Sequence, residues 1–275
     1  MSRNQIIAVG FCALLGIGIY MFATTKKPKG TDDAAPMAQA ARDKPKAEEL
    51  DAEAYIADVN AKITDETTRQ RIADLLKNEQ YEALLSEYSK LDKPLAVAYY
   101  SVKMAEQKGT PEAFIQAGDY NSTLLQTAPD EKAHNYLAFN ALTCYQFAVK
   151  LDSSKVDYKL RLAAAYIEGG AQPMEGVGIL LDIVRKDSNN VDAQMMLGRF
   201  GIVSGQYDKA IARLEKILYL QPKNSEALLL IAEAYNGSGN KQKALEMLER
   251  CKKTVTNPEL IKEIDTYIQQ LKKPS

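Results

Sequence analysis

The side chains best suited to chemistry are few in this chain, and they stand far apart. There is one histidine, His134, and there are three cysteines, Cys12, Cys144 and Cys251. A zinc site or a histidine-assisted nucleophile needs several such groups within reach, usually announced by spacings such as CxxC or HExxH. No second histidine exists, and no two cysteines share a motif. His134 lies among Glu131, Lys132 and Asn135 and reads as a surface side chain. No phosphate loop, glycine-rich nucleotide fingerprint or GxSxG elbow occurs. Gly169-Gly170-Ala171 reads as a turn and Gly176-Val177-Gly178 as a close helix crossing. Carboxylate neighbours such as Glu48–Glu49 read as helix-surface charge. The expectation is therefore a protein with no catalytic residue, no metal site and no cofactor, and not an enzyme. An enzyme with an unfamiliar site is the rival from another class. What chemistry remains is that of a binding surface, so the elements that build the surface matter most.

Those elements are set by the stretch Val191–Asn224, VDAQMMLGRFGIVSGQYDKAIARLEKILYLQPKN. It reads as two short amphipathic helices around a turn. Leu197 and Gly198 mark the first, which Gly205 ends; Ala210, Leu214 and Ile217 mark the second, which Pro222 ends. Small residues at Gly198 and Ala210 let helices cross closely. Gly205 suits the left-handed conformation after a helix, and Pro222 cannot continue one. The pattern recurs at an interval of 34 residues. Forward, Ile231–Ala232, Gly239, Ala244, Leu248 and Cys251 take the same places. Backward, Leu162–Ala163, Gly170, Gly176, Leu180 and Ile183 do, with one extra residue in the intervening turn. Cys251 thus stands where sister repeats have isoleucine, and reads as a small core residue.

In period and in the order of its small, large and turn positions, the segment Val156–Pro258 resembles the tetratricopeptide repeat (TPR) family. It departs from that family where Gln194 and Leu228 occupy the tryptophan position, and where Ser188 and Thr256 stand for Pro222. The resemblance implies an all-α fold, a TPR-type right-handed α-solenoid of antiparallel helix pairs. It also implies that first helices of successive repeats line a concave groove that holds a peptide or a partner helix. Mapped onto this chain, the groove-facing positions are Leu160, Ala164 and Ile167, then Met195, Arg199 and Ile202, then Leu229, Glu233 and Asn236. The row is mostly apolar, with one cation and one anion, which suits an amphipathic segment. Packing against neighbouring helices is the alternative role for the same side chains. The clamp by which some family members grip a C-terminal carboxylate uses Lys and Asn at places held here by Leu160, Met195, Leu229, Ala164, Arg199 and Glu233, so that clamp is absent.

The rest of the chain frames the repeats. From Asn4 to Thr25 no residue is charged, a length that crosses a bilayer as a helix. A transmembrane anchor over residues 1–25 is expected in preference to a cleaved signal peptide, because Met21-Phe22-Ala23 offers no small-x-small site. Ala8, Cys12 and Gly16 share one face of that helix, a spacing that permits a weak homodimer, although small residues are common in such helices. Residues 26–47, rich in Pro, Ala and charge, read as a disordered tether. Residues 48–155 read as diverged helical hairpins of the same solenoid, with a separate helical domain as the alternative. Residues 156–258 hold the three clear repeats, and 259–275 a capping helix with Leu260, Ile261, Ile264, Ile268 and Leu271 on one face.

With a net charge of −1, composition gives no argument for nucleic acid. The chain thus reads as a membrane-anchored scaffold for a protein or peptide partner. The alternative is an accessory subunit for an envelope enzyme system, because the TPR component of cytochrome c maturation is similar in layout. One basic residue before the anchor and three after it, with two unpaired cysteines beyond, incline the repeats to the cytoplasmic rather than the extracytoplasmic side.

Overall fold

The computed structural model describes residues 50–169 and 172–273, all within one unit. The anchor, the tether and the Ala8/Cys12/Gly16 face lie outside the described residues. Among the described residues no helix is long and apolar enough to cross a membrane, and no strand is present.

The described residues form thirteen α-helices in succession: α1 (Ala52–Ala61), α2 (Glu66–Lys77), α3 (Tyr81–Lys90), α4 (Pro94–Lys108), α5 (Pro111–Leu124), α6 (Glu131–Leu151), α7 (Val156–Glu168), α8 (Pro173–Lys186), α9 (Val191–Val203), α10 (Tyr207–Leu220), α11 (Ser225–Gly237), α12 (Lys241–Lys252) and α13 (Pro258–Lys272). Their boundaries follow from local chemistry. Pro94, Pro111, Pro173 and Pro258 open helices, where the missing N–H costs nothing. Asp65 caps α2 by accepting from Thr68 N at 2.7 Å. Asn190 and Asn224, one repeat apart, cap α9 and α11 by accepting from Ala193 N and Ala227 N, each at 2.9 Å. Gly205 and Gly239 close the corresponding hairpins at φ 73° and 85°, which only glycine adopts without strain.

The repeat register seen in the sequence is the register of the core. Leu162–Ala163, Leu197–Gly198 and Ile231–Ala232 are buried, and so are Gly176, Ala210 and Ala244 with Leu180, Leu214, Leu248, Ile183, Ile217 and Cys251. The small positions are needed for contact. A methyl on Gly198 would meet Leu214 Cδ2 at 2.9 Å, and one on Gly176 would meet the Ala163 carbonyl at 2.5 Å. Each hairpin stacks on the next, giving an all-helical, TPR-like solenoid. Across repeats the first helices touch, α7 with α9 and α9 with α11; the second helices make no comparable contact with one another. The first helices therefore form the inner layer of the stack.

Ahead of Val156, α5 and α6 form the same kind of hairpin, and a methyl on Gly118 would strike the Tyr145 ring at 2.6 Å. Side chains carry the stack across this junction. Tyr158 Oη donates to Glu112 at 3.0 Å, while Arg161 donates to Asp119 at 2.5 Å and to Asp157 at 3.0 Å. Further toward the N-terminus the core is aromatic: Tyr88 and Tyr100 stack at 5.3 Å, and Tyr88 Oη donates to Asn60 at 2.8 Å.

Candidate partner-binding groove

The inner layer is where the sequence places a groove, and the nine mapped side chains fall into two sets. Met195, Ile202 and Leu229 are buried, each only 8% exposed, so they act mainly as packing. Leu160, Ala164, Ile167, Arg199, Glu233 and Asn236 are half-buried. Of these, Leu160 and Ile167 lean on the core between α7, α8 and α9. The surface that α7, α9 and α11 offer is thus more polar than the residue types alone suggest.

Charge reinforces the change. Arg199, midway along α9, forms an ion pair with Glu226 in the first turn of α11. Its guanidinium also attracts Glu168, the last residue of α7, and Glu233, one repeat on. Loss of hydration raises both carboxyls above their ordinary value, and Arg199 pulls them back only in part. Glu168 remains open to solvent on one side while protein crowds it on the others, as a concave wall allows. The Nε of Arg199 is buried and makes no hydrogen bond among the described residues. At the far end, Asn236 Nδ2 donates to Tyr267 Oη of α13 at 3.3 Å. Burial, with the charge of Glu233, pushes the Tyr267 phenol up to about 12, so it stays neutral and polar.

Glu168, Glu226 and Tyr267 are groove residues the sequence reading did not single out. Glu226 carried a signal: it lies seven residues before Glu233 on the same helix, and so on nearly the same face. Glu168 carried one as well, since a carboxylate at a helix C-terminus opposes the helix dipole. Tyr267 carried none, because its place depends on how the last helix docks.

Outside the groove the reactive groups are quiet. His134 is exposed. Cys144 and Cys251 are buried free thiols, raised by burial to about 12 and about 11. Among the described residues no cluster of His, Cys, Asp or Glu could hold a metal ion.

Comparison with known proteins bears on the repeats directly. The family model described as "Tetratricopeptide repeat" matches residues 202–262, from the end of α9 into α13. Over that stretch the helical hairpins are similar to tetratricopeptide repeats. The peroxisomal targeting signal receptor of Candida albicans is 33% identical over 111 residues, 38% of this chain and 19% of that protein. The protein of the same name from Debaryomyces hansenii is 24% identical over 188 residues, 68% of this chain and 27% of that protein. The chain therefore spans about a fifth to about a quarter of the length of these relatives. In fold, the crystal structure of MamA protein superposes with a TM-score of 0.50 over 64% of this chain and 90% of that one, at 18% identity. That likeness speaks to the fold alone. TPR proteins bind protein or peptide partners and are in general non-catalytic scaffolds.

Proposed function

We propose that this chain is a TPR scaffold that holds a protein or peptide segment along the inner faces of α7, α9 and α11, without catalysis of its own. The observation that carries the reading is the row Leu160, Ala164, Ile167, Arg199, Glu233 and Asn236, half-buried on consecutive first helices. Such a row offers apolar contact and directional polar groups together, as recognition of an amphipathic segment requires. The matched relatives are named as receptors of a targeting signal, and a scaffold that receives a peptide fits that company. Site-specific photo-crosslinking tests the surface. A photoreactive residue at Ala164 or Asn236 should trap one partner, whereas the same probe at Ala212 or Glu246, exposed on second helices, should trap none. Equal yields from both sets, or yields only from the second, would count against the groove.

The proposal includes the membrane. The uncharged run from Asn4 to Thr25 would hold the repeats beside a bilayer, on its cytoplasmic face by the basic residues that follow it. Anchoring raises the local concentration of a captured partner without any new contact. Carbonate extraction of membranes should leave the full chain in the pellet, and protease added outside spheroplasts should spare the repeats. An N-terminus that starts after Ala23 or later would replace the anchor by a cleaved leader.

A further inference from the structure

The groove residues named from the sequence are balanced, with one arginine and one glutamate. The structure changes that count. Arg199 is engaged by Glu226, and Glu168 and Glu233 approach the same guanidinium from the preceding and following repeats. Three carboxylates, one on α7 and two on α11, thus surround one cation on α9. Glu168 ends α7, where the free carbonyls of the last turn add negative potential. Elsewhere on the inner layer the carboxylates are satisfied: Asp119 accepts from both Arg161 and Tyr145, and Glu112 from Tyr158. The shortage of positive charge is local to α7, α9 and α11. The guanidinium is also incompletely used, because its shielded Nε–H has no acceptor.

We infer that the occupant of the groove is a basic peptide segment whose lysine or arginine side chain enters between Glu168 and Glu233. This rests on the groove reading above and names the chemistry of its partner. A cation there supplies the charge that Arg199, committed to Glu226, cannot give. An acidic segment would meet a net negative wall and be excluded, so the carboxylates also set specificity. Asn236 and the neutral Tyr267 hydroxyl close the row at the α13 end and suit the polar backbone of the same segment.

The test is a selection that presumes no partner. A phage-displayed library of random dodecapeptides is panned on the immobilised full chain at low salt. The same is done with Glu168→Gln/Glu233→Gln and with Glu246→Gln/Glu249→Gln, which removes the same charge from α12. Sequences enriched by the wild type should carry more Lys and Arg than the starting library. A synthetic peptide chosen from them should bind the first variant about tenfold more weakly, the second unchanged, and should weaken as salt rises. Neutral or acidic winners, or equal binding to Glu168→Gln/Glu233→Gln, would overturn the basic partner. In that event Ala164→Trp, which fills the wall with bulk, separates the two ideas. If it abolishes binding, the groove stands and only the cation assignment falls. Binding indifferent to Ala164→Trp, or a library that yields no binder, overturns both. Circular dichroism on each variant establishes that the helices are intact.

Discussion

Arg199 of α9 and Glu226 of α11 hold neighbouring repeats together by an ion pair, and the two partners do not depend on it equally. Glu226 also sits in the first turn of α11, where the helix dipole favours a carboxylate. Arg199 is the cation that Glu168 and Glu233 share as well. Both side chains are partly exposed, 42% and 31%, so the pair itself contributes under about 1 kcal/mol. Glu226→Gln should therefore cost little. Arg199→Met leaves three carboxylates without their cation and should lower the melting temperature further than Glu226→Gln does. Urea titration of both variants and of the double mutant measures the difference, and a larger loss for Glu226→Gln would contradict the sharing.

The raised carboxyls of Glu168 and Glu233 give a prediction with a definite sign. Because the folded chain holds those protons more tightly than the unfolded chain, their contribution to stability is fully present below the ordinary carboxylate range. It is lost as pH rises through the raised folded values. At neutral pH both groups are ionised at the expense of the fold. Glu168→Gln/Glu233→Gln should raise the melting temperature at pH 7 by about 1–2 °C, and the gain should vanish near pH 4. A gain that persists at pH 4, or a loss at pH 7, would show that loss of hydration does not dominate at these sites.

The helix crossing inside the middle repeat is closer than its sequence pattern alone conveys. A methyl added to Gly201 would lie 3.0 Å from Ala210 Cβ, so α9 and α10 nearly touch there. Ala210 is fully buried, whereas Ala212 on the same helix is exposed. Ala210→Leu should destabilise by about 1–3 kcal/mol through overpacking, and Ala212→Leu by much less. Equal unfolding midpoints would mean that the crossing can open without cost.

The repeats were legible because close packing returns at a fixed interval. Gly176, Ala210 and Ala244 are small for one steric reason, and Gly205 and Gly239 are glycines for one conformational reason. A pattern repeated for such reasons survives in the sequence whatever the partners are. The groove was legible only in outline. Whether Met195, Ile202 and Leu229 present themselves or pack away depends on the curvature of the stack and the size of neighbouring side chains, neither of which a single repeat encodes. The grouping of Glu168, Arg199, Glu226 and Glu233 is likewise tertiary, because it joins residues from three helices. Tyr267 reaches Asn236 only once α13 has docked.

The thiols offer a direct measure of burial. Cys144 and Cys251 are pushed up to about 12 and about 11, far above a free cysteine at about 8.5. Since the thiolate is the reactive form, both should resist a disulfide reagent at pH 8 by at least about a hundredfold relative to the unfolded chain. A Cys12→Ser background isolates these two. Rapid labelling of Cys251 would show that the end of α12 opens far more often than the rest of the stack.

Gln194 gives the sharpest test of how the departures from the repeat pattern are accommodated. It stands at the family's tryptophan position, yet it is 94% buried, being 6% exposed. Both ends of its amide are bonded there: Nε2 donates to the Ser188 carbonyl at 3.0 Å, and Oε1 accepts from Arg213 Nη1 at 3.1 Å. The bridge ties the turn before α9 to α10. Burial also lowers the pKa of Arg213, so that guanidinium already carries a hydration cost and depends on the bond. Gln194→Leu keeps the volume and removes both bonds, leaving the Ser188 carbonyl and Arg213 unsatisfied, and should cost about 1–3 kcal/mol. Adding Arg213→Met removes one of the stranded groups. The double mutant should therefore lose less than the sum of the two single losses. Urea unfolding with an unchanged slope is the measurement. If Gln194→Leu unfolds at the wild-type midpoint, or if the two losses simply add, then the amide fills space without bridging, and some other contact holds the α8–α9 turn in place.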